Sequence, residues 1–152
     1  MKSEFLSRLV SISLRTRLFR EWQKAHQLGD PPFSERELLT LEVVNDFKNI
    51  TEKDIGRLFG LSPSSVNDLV SRLVEEKILT KPEGTRGKPL SLTKTGQQQL
   101  SKMKQANAKR LEYLFDSFSD QDWETIMPLL EKIGHAAQRH IETEVFRDDS
   151  TI

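Results

Sequence analysis

The 152-residue sequence contains no cysteine. That one absence excludes disulfides, thiolate metal ligands, thiol redox sensing and cysteine nucleophiles. Net charge is missing too, because 23 Lys and Arg balance 23 Asp and Glu. A whole-molecule attraction to nucleic acid or to an acidic membrane is therefore excluded, and any such partner must be met by local charge. No apolar run approaches the roughly 18 residues of a membrane span. The first residues, interrupted by Glu4, Arg8 and Arg15, lack the apolar core of a signal peptide, so a cytoplasmic location without membrane contact is the expectation. Also missing are a Gly-rich phosphate loop, a nucleophile elbow and a His-Glu-x-x-His pair. A protein with no catalytic activity and no cofactor is expected.

The length suits one domain, or one domain with arms. Charge is distributed unevenly along it. Residues 1–30 carry six basic and three acidic side chains, 93–118 five and two, and 119–152 three and eight. The middle is mildly basic and the end acidic.

The most informative stretch is 51–77, TEKDIGRLFGLSPSSVNDLVSRLVEEK. Ile55, Leu58 and Phe59 form one apolar face. After Gly60, Val66, Leu69, Val70 and Leu73 resume at helical spacing. A short helix, a tight turn and a longer helix make a helix-turn-helix, with Gly56 at the crossing and Gly60 in a turn that needs positive φ. The remaining residues of the second helix, Ser64, Ser65, Asn67, Asp68, Ser71 and Arg72, are small or hydrogen-bonding. Such a surface suits a DNA groove, although a merely solvated face would look similar.

Helix starts are marked by capping patterns. Phe33-Ser34-x-x-Glu37-Leu38, Ile50-Thr51-x-x-Asp54-Ile55 and Phe118-Ser119-x-x-Asp122-Trp123 each combine a capping box with a hydrophobic staple. A partial form, Ser62-Pro63-x-Ser65, places Pro63 at the first helical position. Residues 3–27 read as one long helix with two apolar stripes, stopped by Gly29, Pro31 and Pro32. Its excess apolar surface calls for a partner element.

After Lys77, the segments 78–81 and 88–92 read as two strands around the loop 82–87, with Pro89 confining the second strand to an edge. A hairpin placed there is a wing. A helix capped by Thr93 is expected to run to about Ser117. Another from Ser119 is expected to bury Trp123, Ile126, Leu130, Ile133, Ala137 and Ile141, with Pro128 inside it. Residues 147–152 read as a disordered tail.

This order of elements resembles the MarR family of bacterial winged helix-turn-helix transcription regulators over nearly the whole chain. Residues 61–73, LSPSSVNDLVSRL, are similar to that family's recognition helix, and 90–96, LSLTKTG, to its wing exit. The fold class implied is mainly α with a small β-hairpin: a winged helix-turn-helix lobe flanked by long N- and C-terminal dimerisation helices. The implied divisions are an N-terminal dimerisation helix at 1–30, the DNA-binding lobe at 31–95, C-terminal dimerisation helices at 96–146 and the tail.

By this resemblance the protein is a homodimer that binds a pseudo-palindromic double-stranded DNA operator. Its lobes are held about one DNA turn, roughly 34 Å, apart, and a small anionic or aromatic effector is the expected ligand. Pro63, Ser64, Ser65, Asn67, Asp68, Ser71 and Arg72 are the candidate DNA-binding residues on the recognition helix. Lys81, Arg86, Lys88 and Lys94 are the candidates on the wing and its flanks. Arg15 and Trp22 are effector-site candidates by analogy alone. Two departures stand out: the wing reads Gly84-Thr85-Arg86, with one arginine in place of an acidic residue and two, and Asp68 occupies a position where a basic or neutral side chain is common.

Two other readings remain open at the sequence level. A metal sensor would draw on His135, His140, Glu142 and Glu144, but only His140 and Glu144 share a helix face, too few ligands without His26. A dimeric winged-helix adaptor for proteins would suit the neutral charge and Asp68.

Overall fold

Caps form at Thr51, Ser62 and Ser119, where the sequence places them. In the computed structural model, which describes residues 2–26, 33–82 and 87–146, Thr51 Oγ1 accepts from Asp54 N at 3.4 Å while Asp54 accepts from Thr51 N at 2.9 Å. Ser119 and Asp122 repeat the exchange at the start of the last helix. Ser62 accepts from Ser65 N with Pro63 next in line. Each exchange satisfies donors that a helix end leaves bare.

Among the described residues there are six helices and two short strands: α1 (Lys2–His26), α2 (Glu35–Asp46), α3 (Glu52–Phe59), α4 (Pro63–Glu75), β1 (Leu79–Thr80), β2 (Ser91–Leu92), α5 (Lys94–Glu112), a 3-10 turn (Tyr113–Phe115) and α6 (Asp120–Glu144). Among the described residues no helix is long and apolar enough to cross a membrane. The chain divides into two units, Met1–Ser34 and Glu35–Ile152. The first is α1, whose apolar residues Phe5, Leu6, Leu9, Val10 and Ile12 are exposed. Its expected stop signal at 29–32 and the expected tail at 147–152 lie outside the described residues.

The second unit packs α2, α3, α4, the strands and the start of α5 around one core. Leu41, Ile55, Val70 and Leu73 are completely buried, with Ile50, Leu79, Leu90 and Leu100 nearly so. Each contributes about 1.5–3 kcal/mol. Between α3 and α4 the chain turns through Gly60, in the left-handed region at φ 62, whose N–H donates to Gly56 O. Gly56 lies at the crossing, where a Cβ would come within 3.3 Å of Val66 Cγ2.

The strands are shorter than expected. Leu79 pairs with Leu92 and Thr80 with Ser91, and Pro89 lies before β2 instead of within it. An additional backbone bond from Leu90 N to Ile50 O, 2.7 Å, ties the segment ahead of α3 to the wing. At the other end of the wing, Thr93 joins two helices. Its Oγ1 donates to Lys77 O at 2.6 Å and accepts from Gly96 N at 2.9 Å.

Two expectations for the C-terminal helices need correction. Helix α5 ends at Glu112 and passes into the 3-10 turn, short of Ser117. Helix α6 buries none of its residues: Leu130 and Ile133 are exposed and Trp123, Ile126 and Ile141 half-buried. The apolar face is present as read, but among the described residues none of it is fully buried. Trp123 instead meets Phe115 and Phe118 in an aromatic cluster, with ring centres 5.1–5.4 Å apart, and this cluster braces the elbow between α5 and α6.

Candidate nucleic-acid interface

Helix α4 has one face for the core and one for solvent. Val66, Val70 and Leu73 point inward; Ser64, Ser65, Asn67 and Asp68 are exposed and Ser71 is half-exposed. Hydroxyls gather at its start. Ser62 Oγ lies 3.0 Å from Ser64 Oγ and 2.9 Å from Ser65 Oγ, so these side chains support one another at the end of the helix that favours negative charge.

Beside this end lies an open groove of about 1040 Å³ formed by α3, the start of α4 and the base of the wing. Among the described residues, Pro63, Ser64 and Asn67 line it together with Lys53, Arg57, Lys81 and Lys88, four cations, and one carboxylate, Glu52. Local charge is therefore positive in a chain with no net charge. Lys81 is partly neutralised by Glu52, 2.8 Å away. Lys53 and Arg57 were not among the sequence candidates. Their i, i+4 spacing on the polar side of α3 was the available signal, since the first helix of such a motif crosses the DNA backbone.

Other candidates fall elsewhere. Arg72 is exposed but engaged by two carboxylates: its Nη1 lies 3.0 Å from Glu37 Oε1 and its Nε 3.2 Å from Glu76 Oε1. The carboxylate of Glu37, expected only at the cap of α2, is buried and requires a cation, and Arg72 supplies it. Lys94 is exposed at the first turn of α5 and is not among the residues that line the groove. Arg86 lies outside the described residues, as does the side chain of Trp22. Arg15 is exposed on α1.

Among the described residues no group of three His, Asp or Glu side chains converges on a metal-sized site. A second cleft, of about 560 Å³, lies at the α5–α6 elbow against Leu111, Phe115 and Trp123.

Helix-turn-helix, following hairpin and long closing helices define a winged helix-turn-helix protein. The fold is that of the MarR-family regulators. Similar solved structures include a MarR family protein from Bacillus stearothermophilus, 18% identical, with a TM-score of 0.61 over 90% of this chain and 94% of that one. The multiple antibiotic-resistance repressor from Listeria monocytogenes 4b F2365 is 22% identical, with a TM-score of 0.59 over 91% and 97%. The PcaV transcriptional regulator from Streptomyces coelicolor, in complex with its natural ligand, is 20% identical, with a TM-score of 0.50 over 79% and 91%. No protein-family model and no curated protein matches the sequence.

Proposed function

We propose that the protein is a sequence-specific double-stranded DNA-binding transcription regulator, a repressor that acts as a homodimer on a pseudo-palindromic operator and is released by a small anionic or aromatic effector. The observation that carries this reading is the continuity of the exposed polar row of α4 with the cationic groove. Base edges in a major groove are read by short hydrogen-bonding side chains, and phosphates on either side by cations. Ser64, Ser65, Asn67 and Asp68 are suited to the first task; Lys53, Arg57, Lys81 and Lys88, with Arg86 and Lys94 on sequence grounds, are suited to the second. Arg72 is left out of both.

Dimerisation is supported by the apolar residues that α1 and α6 leave exposed. The ligand in PcaV supports an effector here only by likeness of fold. An effector releases DNA if it binds better to the lobe spacing that does not fit the operator.

Selection from random duplexes, followed by gel shift at two salt concentrations, tests the reading. One palindromic sequence is expected to be enriched, with affinity falling as salt rises. Lys53→Ala and Arg57→Ala are each expected to lower the slope of log K against log salt by about 0.9 if the residue neutralises one phosphate. An adaptor for proteins would enrich no sequence.

A further inference from the structure

Asp68 stands in the middle of the α4 face that points away from the protein. Val66, Val70 and Leu73 define the buried side. Ser64, Asp68, Ser71 and Glu75, at i, i+4, i+7 and i+11, form the row opposite them. A groove that receives the helix therefore meets this exposed carboxylate directly. The cation best placed to screen it is Arg72, one turn further on. That guanidinium is engaged by Glu37 at 3.0 Å and Glu76 at 3.2 Å, so Asp68 approaches the groove beside two uncharged serines.

We infer that Asp68 is a specificity-determining residue of α4 and selects a cytosine in each half-site through its N4 amine. This rests on the DNA-binding reading above. An ionised carboxylate only accepts hydrogen bonds. In the major groove guanine presents N7 and O6 and thymine presents O4, all acceptors that repel it. Adenine presents its N6 amine beside the N7 acceptor; cytosine presents the N4 amine with no acceptor beside it on its own edge.

Repulsion from the phosphates acts on every sequence, whereas the bond to N4 is gained on one. Asp68 thus lowers affinity for random DNA more than affinity for the operator. The cations of the groove supply the attraction common to all sequences. A helix with an acidic residue at its centre gains discrimination at the expense of grip.

The test is selection from random duplexes with the wild type, D68A and D68N, each first checked for folding by circular dichroism and thermal unfolding. In the wild type one position of each half-site is expected to hold cytosine, with a preference of roughly tenfold or more over the other bases. D68A is expected to lose the preference at that position alone and to bind random duplex more tightly. D68N is expected to shift the position toward adenine, whose N6 and N7 an amide can pair. If the wild type enriches an operator and both variants keep its preference at every position, the inference is overturned while the DNA-binding reading stands. If the wild type enriches nothing, the DNA-binding reading fails and this inference with it.

Discussion

Arg72 Nη1 lies 3.0 Å from Glu37 Oε1, joining the helix that faces DNA in the proposed function to a carboxylate on α2 that is only 3% exposed. The pair works as a strut between the two helices. Removing the arginine takes a cation away from a buried carboxylate, whereas removing the carboxylate's charge leaves an arginine that solvent can accommodate. Arg72→Ala is therefore expected to cost about 2 kcal/mol, below the range for fully buried pairs because Arg72 itself is 56% exposed. Glu37→Gln is expected to cost less. Urea unfolding measures both. The salt slope of DNA binding should stay unchanged in Arg72→Ala; a drop near 0.9 would place this residue on a phosphate instead.

Backbone geometry predicts changes of opposite sign at two nearby positions. A Cβ at Gly96 would collide with the carbonyl oxygen of Ile78, and both groups are held there by Thr93. Gly96→Ala is expected to destabilise by about 1–3 kcal/mol. Lys77 follows α4 at φ 58, with its N–H on Val74 O and that of Ile78 on Leu73 O, both 2.9 Å. This is a Schellman closure, which favours glycine at that position. Lys77→Gly is expected to raise stability by up to about 1 kcal/mol, because a left-handed conformation strains any residue with a Cβ. Thermal unfolding of the two variants checks both signs.

The cap of α6 makes stability depend on pH. The Ser119 hydroxyl, and after it the Ser119 backbone N–H, hold the Asp122 carboxyl below its ordinary value. A carboxyl with a lowered folded-state pKa adds stability above its unfolded-state pKa, and that contribution is lost as pH falls through the folded value. Acidification below about pH 4 is thus expected to loosen the first turn of α6. Asp122→Asn should abolish this part of the acid response, as followed by amide exchange across residues 119–126.

Leu130 and Ile133 are 51% and 55% exposed on a helix with no fully buried residue among those described. If a second copy covers this face, a charge placed there opposes assembly. Sedimentation velocity at micromolar concentration is expected to show a dimer for the wild type and a monomer for Ile133→Glu, with unchanged helix content. A monomeric wild type would contradict the dimer.

Local signals were legible in the sequence where local physics decides. The caps at Thr51, Ser62 and Ser119, the turn at Gly60 and the amphipathic pattern of α4 each depend on residues within a few positions, and each forms as read. What was missed depends on distance. Nothing near Arg72 announces Glu37, 35 positions earlier, so the ion pair between them is not legible from an arginine on a polar helix face. The bond between Ile50 and Leu90 likewise exists only once the wing has folded back. For α6 the apolar stripe lies where its periodicity places it, and among the described residues none of it is fully buried. Periodicity shows that a face needs cover, and is silent on whether the same chain provides it. Lys53 and Arg57 were passed over because α3 was read for its apolar side alone.

The proposal that α4 and its groove read DNA is tested most directly by sequencing duplexes retained by the wild-type protein from a random pool. Enrichment of one pseudo-palindrome whose half-sites lie about one turn, roughly 34 Å, apart is expected, with binding that weakens as salt rises. Retention of the pool without enrichment of any sequence would contradict it.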